Sequence, residues 1–100
     1  MTFLDAIRKN LGKLRHTLHA IQKEYSEGIT ADQIEKTLKA GFELIEEYPD
    51  DPRGASGLIL CWIEDSPLHI VCAPHEDVII IISKYEPTMD KWMDDYKTRR

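Results

Sequence analysis

Leu4, Ile7, Leu11, Leu14, Leu18, Ile21 and Tyr25 recur at steps of three and four residues, which places them on one stripe of an α-helix. The spacing predicts a first helix from about Thr2 to Ser26. Gly12 marks a bend in it, or a break after Asn10. Lys9, Lys13, His16 and Lys23 fall on roughly the opposite side. That basic line reads either as a solvated face or as a stripe for phosphates. His19 lies between the two faces, at the edge of the core. A second helix has a clear start: Thr30 is a good N-cap, Gln33 completes a capping box, and Ile29 and Ile34 form the staple around it. It runs to about Ala40, where Gly41 is a natural stop. Its apolar stripe is thin, chiefly Ile34 and Leu38.

Beyond Gly41 the period shortens. "FELIEEY" (42–48) alternates in part, with Phe42, Leu44 and Tyr48 on one face and Glu46 intruding. The acidic "PDDPRGASG" is a loop. "LILCWI" (58–63) and "PLHIVCA" (67–73) flank "EDS" and read as a hairpin. "DVIIIISKY" (77–85) is the strongest strand signal and is apolar on both faces. It predicts a central strand covered on both sides, or covered by helices on one side and by a partner on the other. Thr88 caps a last helix with Met89, Trp92, Met93 and Tyr96 as its stripe. Lys97, Arg99 and Arg100 stand at its end, where the helix dipole favours cations. The order is α-α-β-β-β-β-α. Grouped strands argue an α+β fold: two N-terminal helices, an antiparallel four-stranded sheet and a C-terminal helix, in one domain over residues 1–100.

Register decides what His69 faces. A tight turn at "EDS" pairs Glu64 with Pro67 and sets Trp62 opposite His69. The longer "APHED" connection permits two registers. One sets His69 opposite Ser83; the other sets it opposite Ile82, with Lys84 on its face.

Composition narrows the class. The chain is 42% hydrophobic and 31% charged, as in a soluble globular domain. No apolar run approaches the roughly 20 residues of a membrane helix, and the charged N-terminus does not read as a secretory signal. A cytoplasmic location is therefore expected. Cys61 and Cys72 sit in strands without metal or redox spacing and read as small buried hydrophobes. No metal-ligand spacing stands out, and no cofactor is implied. The net charge of −5 is uneven: residues 1–40 carry +2 and residues 41–100 carry −7. A nonspecific nucleic-acid binder usually presents a basic surface, and this chain does so only locally, towards its two ends.

From "HA" at His19–Ala20 onward the chain resembles a bacterial domain-of-unknown-function family. The pieces are "GIT" at 28–30, "GFELIEEYPDD" at 41–51, "PLHIV" at 67–71, "IIISKYEPT" at 80–88, "KW" at 91–92 and "YKTRR" at 96–100. They cover residues 19–100, and their order and spacing carry the resemblance. Residues 1–18 lie outside it, as an amphipathic helical extension. The resemblance implies a fold like that of RelE-like and barnase-like nucleases. It also implies the toxin of a type II toxin–antitoxin pair, with metal-independent endoribonuclease activity and a zinc-finger antitoxin as partner. The chain departs from the family pattern at Glu27, where an Arg is usual, and at Ser83, where a Thr is usual; Lys23 fits.

Metal-free RNA cleavage needs a base for the 2′-hydroxyl, an acid for the leaving 5′-oxygen and cations for the phosphorane-like transition state. Imidazole suits the first two roles. On the resemblance, His19, Lys23 and His69 form the centre. Ser83 and Tyr85 orient the phosphate. Lys84, Arg99 and Arg100 supply charge, and Trp92 or Trp62 stacks a base. His69 otherwise reads as a core histidine bonded to backbone or to a tyrosine hydroxyl. His16 and His75 read as exposed. The alternative function is a non-catalytic interaction module. A homodimer, paired through the strand at 78–82 or through the first eighteen residues, is compatible with either.

Overall fold

The computed structural model describes residues 2–52 and 54–100, except for the side chains of residues 23–27. Among these are three helices, α1 (Phe3–Lys9), α2 (Leu18–Glu27) and α3 (Ala31–Ala40), and five strands, β1 (Leu14–His16), β2 (Glu43–Tyr48), β3 (Ser56–Ile63), β4 (Ser66–His75) and β5 (Val78–Tyr85). The strands form one sheet in the order β1-β5-β4-β3-β2. β2 to β5 pair antiparallel, whereas β1 runs parallel to β5. The architecture is α+β with a mixed five-stranded sheet. This corrects the expected four antiparallel strands and C-terminal helix.

The long first helix is the first correction. Thr2 and Asp5 make a reciprocal capping box at the start of α1. The helix ends at Asn10, and Lys13 closes a turn by donating its N–H to the Asn10 carbonyl over 2.9 Å. Leu14, Arg15 and His16 then pair with Ile79, Ile80 and Ile81. Three residues at a sheet edge are too few to show a period of their own, so the strand hides inside a helical pattern. Thr17 turns the chain again. Its hydroxyl donates to the Ile82 carbonyl (2.9 Å) and accepts the Ala20 N–H (3.2 Å), which ties the first turn of α2 to β5.

α3 starts with the Thr30–Gln33 capping box and is closed at Gly41. Ile7, Ala20, Ile34 and Leu38 pack on one face of the sheet against Ile59, Cys61, Leu68, Ile70, Cys72, Ile79 and Ile81. Both cysteine thiols are buried and free, and burial pushes each up to about 12.

Two bulges reset the faces. On β2, Leu44 pairs with Ile59 but Glu46 pairs with Leu58, so Ile45 is extra. Glu43 and Glu46 therefore share a face although three residues apart, and Tyr48 joins them rather than Leu44. On β5, Val71 pairs with Ser83 but Cys72 pairs with Ile81, so Ile82 is extra. This resolves the register differently from both expected alignments: His69 stands opposite Tyr85. Across the hairpin turn, Ile63 pairs with Ser66 and His69 pairs with Leu60, not with Trp62. Over Ile79–Ile81 both edges of β5 are occupied. Ile7 is spent in the core of its own chain.

Residues 86–100 are not helical. They fold back on themselves as a short hairpin-like segment, with an isolated bridge between Trp92 and Arg99. The Asp95 carboxylate accepts the N–H groups of Lys97 (2.9 Å) and Thr98 (3.1 Å) and the Thr98 hydroxyl. Such local bonds compete with a helix. Tyr96 adopts a left-handed backbone with φ of 59°, and Met93 donates its N–H to the Thr98 carbonyl (2.7 Å). The Arg100 side chain donates to the carbonyls of Met89 and Trp92, which makes it a clamp on this segment.

Candidate functional site

Glu43, Leu60, His69 and Tyr85 form a row across four strands on the face of the sheet away from the helices. The 86–100 segment lies on this row. Trp92 is buried, with its ring edge-on to the His69 ring at 4.5 Å. Lys97 pairs with Glu43 at 2.7 Å. Arg99 forks onto the Glu46 carboxylate at 2.8 and 3.0 Å, and its guanidinium sits 4.6 Å from the Trp92 ring centre. That fork holds the Glu46 carboxyl below the usual carboxylate range and raises Arg99 further. Tyr48 donates its hydroxyl to Glu46; burial first, then that carboxylate, pushes the phenol up to about 12.

His69 is fully buried. Its Nε2 lies 2.7 Å from the Tyr96 carbonyl oxygen and its Nδ1 lies 3.1 Å from the Tyr85 hydroxyl. Burial lowers its pKa, outweighing the Tyr96 carbonyl, which acts in the opposite direction. A carbonyl oxygen only accepts, so Nε2 carries the proton. The neutral ring then accepts the Tyr85 proton at Nδ1. Both nitrogens are committed. His69 is a core histidine bonded to backbone and to a tyrosine hydroxyl, and it has no free nitrogen for a substrate.

Beside this row opens a groove of about 540 Å³, lined by His19, Ser83, Tyr85, Glu86, Thr88, Lys91, Trp92 and Arg99. Five residues expected from the sequence therefore meet in one place: His19, Ser83, Tyr85, Trp92 and Arg99. His69 lies beneath, reaching the groove only through Tyr85 and Trp92. Trp92 contributes a wall and not a stacking platform, because it is only 2% exposed. Trp62 is the exposed tryptophan, edge-on to Tyr96. Lys84 pairs with Ile70, on the helix-covered face, and is fully buried. It is thus removed from the groove and from any RNA. Arg100 is the clamp described above. The side chains of Lys23 and Glu27 lie outside the described residues.

Glu86, Thr88 and Lys91 line the groove without having been named as site residues. They follow the last strand, and Thr88 and Lys91 fall in a stretch read as the start of a helix, which would have pointed them elsewhere. His16 is half-buried in β1 rather than exposed on a helix, whereas His75 is exposed. Among the described residues, no group of three or more His, Cys, Asp or Glu side chains is placed to hold a metal ion. No described helix is long and apolar enough to cross a membrane.

Neither a curated protein nor a solved structure matches the chain. A family model does match, over residues 16–86. That span begins at His16, the last residue of β1, three residues before the resemblance starts, and ends at Glu86, just after β5. The pieces "KW" and "YKTRR" lie beyond it. The matched span exceeds half of the chain, and the chain belongs to the domain-of-unknown-function family DUF4258.

Proposed function

We propose that the chain is a metal-independent endoribonuclease acting in the groove between α2 and the end of β5, and that it is the toxin of a toxin–antitoxin pair. The observation that carries this reading is the gathering of His19, Glu86, Lys91 and Arg99 around one groove of about 540 Å³. With His69 fully bonded, the acid–base pair is His19 and Glu86. The Glu86 carboxylate takes the proton of a ribose 2′-hydroxyl, and the 2′-oxygen attacks the adjacent phosphorus. The bond to the 5′-oxygen breaks as the His19 imidazolium gives that oxygen its proton. A 2′,3′-cyclic phosphate and a free 5′-hydroxyl result. Lys91 and Arg99 stabilise the charge on the phosphorane. The Ser83 hydroxyl orients its oxygens.

The test is cleavage of RNA by the purified chain in the presence of a chelator. His19→Ala and Glu86→Gln are each expected to slow cleavage by about 10²-fold or more, with a cyclic phosphate in the wild-type product. Cleavage that both variants retain in full would overturn the reading.

A second reading rests on a different observation. Leu18 is 71% exposed and Ile21 is 46% exposed, and both flank His19 on α2. An exposed apolar pair on the helix that brings His19 to the groove suits a protein partner. An antitoxin seated there would hold the helix that carries His19. In an interaction module without activity the same pair would be the whole function. A chain that cleaves no RNA but loses a co-purifying partner on Leu18→Asp favours the module.

A further inference from the structure

Two of the three hydroxyls that line the groove, those of Tyr85 and Thr88, already have their protons committed. Tyr85 gives its proton to Nδ1 of His69, because Nε2 of that ring must donate to the Tyr96 carbonyl. Thr88 gives its proton to the Asp90 carboxylate. Whatever reaches these two oxygens from the groove meets lone pairs only. Glu86 adds another acceptor, and Lys91 and Arg99 are the cations. The groove thus offers hydrogen-bond acceptors and, among them, cations that attract negative charge.

The chemistry that fits is an anion with a hydroxyl donor beside it. We infer that Tyr85 recognises the ribose 2′-hydroxyl next to a bound phosphate, and that His69 is the positioning residue that turns the Tyr85 oxygen into an obligate acceptor. The groove therefore selects ribonucleotides over deoxyribonucleotides at the binding step, where the 2′-hydroxyl donates to Tyr85; its proton passes to Glu86 only as the reaction begins. This rests on the ribonuclease reading and names how that site tells its substrate class. The direction of the whole chain, from Tyr85 through His69 to Tyr96, is set at its far end by a backbone carbonyl that cannot donate. A strand histidine and a left-handed tyrosine outside the groove thus decide the polarity of a contact inside it.

The experiment uses ligands with no bond to cleave. Ribonucleoside 3′-monophosphates are titrated into the full chain beside their 2′-deoxy and 2′-fluoro analogues. The 2′-fluoro sugar keeps a ribose-like pucker but has no proton to donate. The ribonucleotides are expected to bind about five- to tenfold more tightly than either analogue, the contribution of one well-placed hydrogen bond. In Tyr85→Phe that ratio is expected to fall to about one. Nitrogen-15 shifts of the His69 side chain in the unliganded chain should show the proton on Nε2 and none on Nδ1.

Equal binding of all three ligands, or a 2′-fluoro analogue that binds like the ribonucleotide, overturns the inference and leaves the phosphate site standing. A proton on Nδ1 of His69 overturns it as well, with no ligand involved. Binding of none of the three overturns the ribonuclease reading along with it. Should Tyr85→Phe fail to fold, the ligand series on the wild-type chain and the His69 spectrum still decide.

Discussion

Nε2 of His69 donates to the carbonyl of Tyr96 across 2.7 Å, and 27 residues of chain separate the two. This bond joins the centre of the sheet to a residue whose backbone is left-handed. An aromatic residue adopts that conformation only when its surroundings hold it there. The bond exists only while Nε2 is protonated and the ring is neutral or positive, but burial admits the neutral ring alone at ordinary pH.

Stability should therefore depend on pH in a defined sense. The His69 pKa is lowered in the folded chain by burial, while in the unfolded chain it returns to about 6.5. Below about 6.5 the unfolded state binds the extra proton first, so stability falls as pH falls, and the loss levels off once pH is under the folded value. Urea midpoints at pH 7.5 and pH 5.0 should differ, with the lower one at pH 5.0. His69→Ala should flatten this part of the profile. It should also cost roughly 3 kcal/mol, because it opens a cavity and strips the Tyr85 hydroxyl and Tyr96 carbonyl of their partner. A profile unchanged in the variant would remove His69 from the explanation.

The Arg99–Glu46 fork makes a second prediction. The pair is partly exposed, so Glu46→Gln should change stability by less than about 1 kcal/mol. Its effect on the groove should be larger. With the carboxylate gone, Arg99 is no longer neutralised beside the phosphate site. Affinity for a nucleoside 3′-monophosphate should rise about fivefold, the equivalent of roughly 1 kcal/mol for a charge about 8 Å away in a half-solvated site. Calorimetric titration of both chains checks this, and the gain should shrink in high salt.

Gly57 is a packing position rather than a turn. A Cβ there would lie 2.7 Å from the ring of Phe3 and 3.1 Å from the Glu46 carbonyl oxygen. Gly57→Ala should destabilise by about 1–3 kcal/mol. Combined with Phe3→Leu, the two losses should sum to more than the double variant shows, because the smaller side chain makes room. Denaturation of the four chains closes the cycle. Additive losses would place the clash on the backbone instead of on Phe3.

Much of this architecture is legible along the chain. The capping box at Thr30, the stop at Gly41 and the strands at 58–63, 67–73 and 77–85 all stand close to where their local signals fall. What alternation could not transmit was phase. A period of two predicts faces only until an extra residue is inserted, and Ile45 and Ile82 are such residues. Hence Tyr85, and not Ser83, faces His69, and Lys84 turns to the core although it follows a groove residue directly. The stretch after Thr88 misled for another reason. Its apolar spacing is helical, but the Asp95 side chain captures the backbone that a helix would need. The groove was half legible. His19, Ser83, Tyr85, Trp92 and Arg99 were named from residue type and resemblance, whereas Thr88 and Lys91 became visible only when the supposed helix folded back as a loop, and Glu86 carried no signal of its own.

The bulge on β5 sits in a run of four identical residues, Ile79 to Ile82. Losing any one of them produces the same shorter chain, so one outcome describes four different deletions. That chain regains plain alternation: Ser83, Lys84 and Tyr85 keep the faces they have now. What it gives up is the spare carbonyl of Ile82, which holds the hydroxyl of Thr17 two residues before His19. Shortening the run by one would thus leave the sheet intact and release the helix that carries the groove's imidazole. Lengthening it by one has no such outlet. A two-against-one bulge has no seat for a further isoleucine, and Lys84 and Tyr85 would exchange sides.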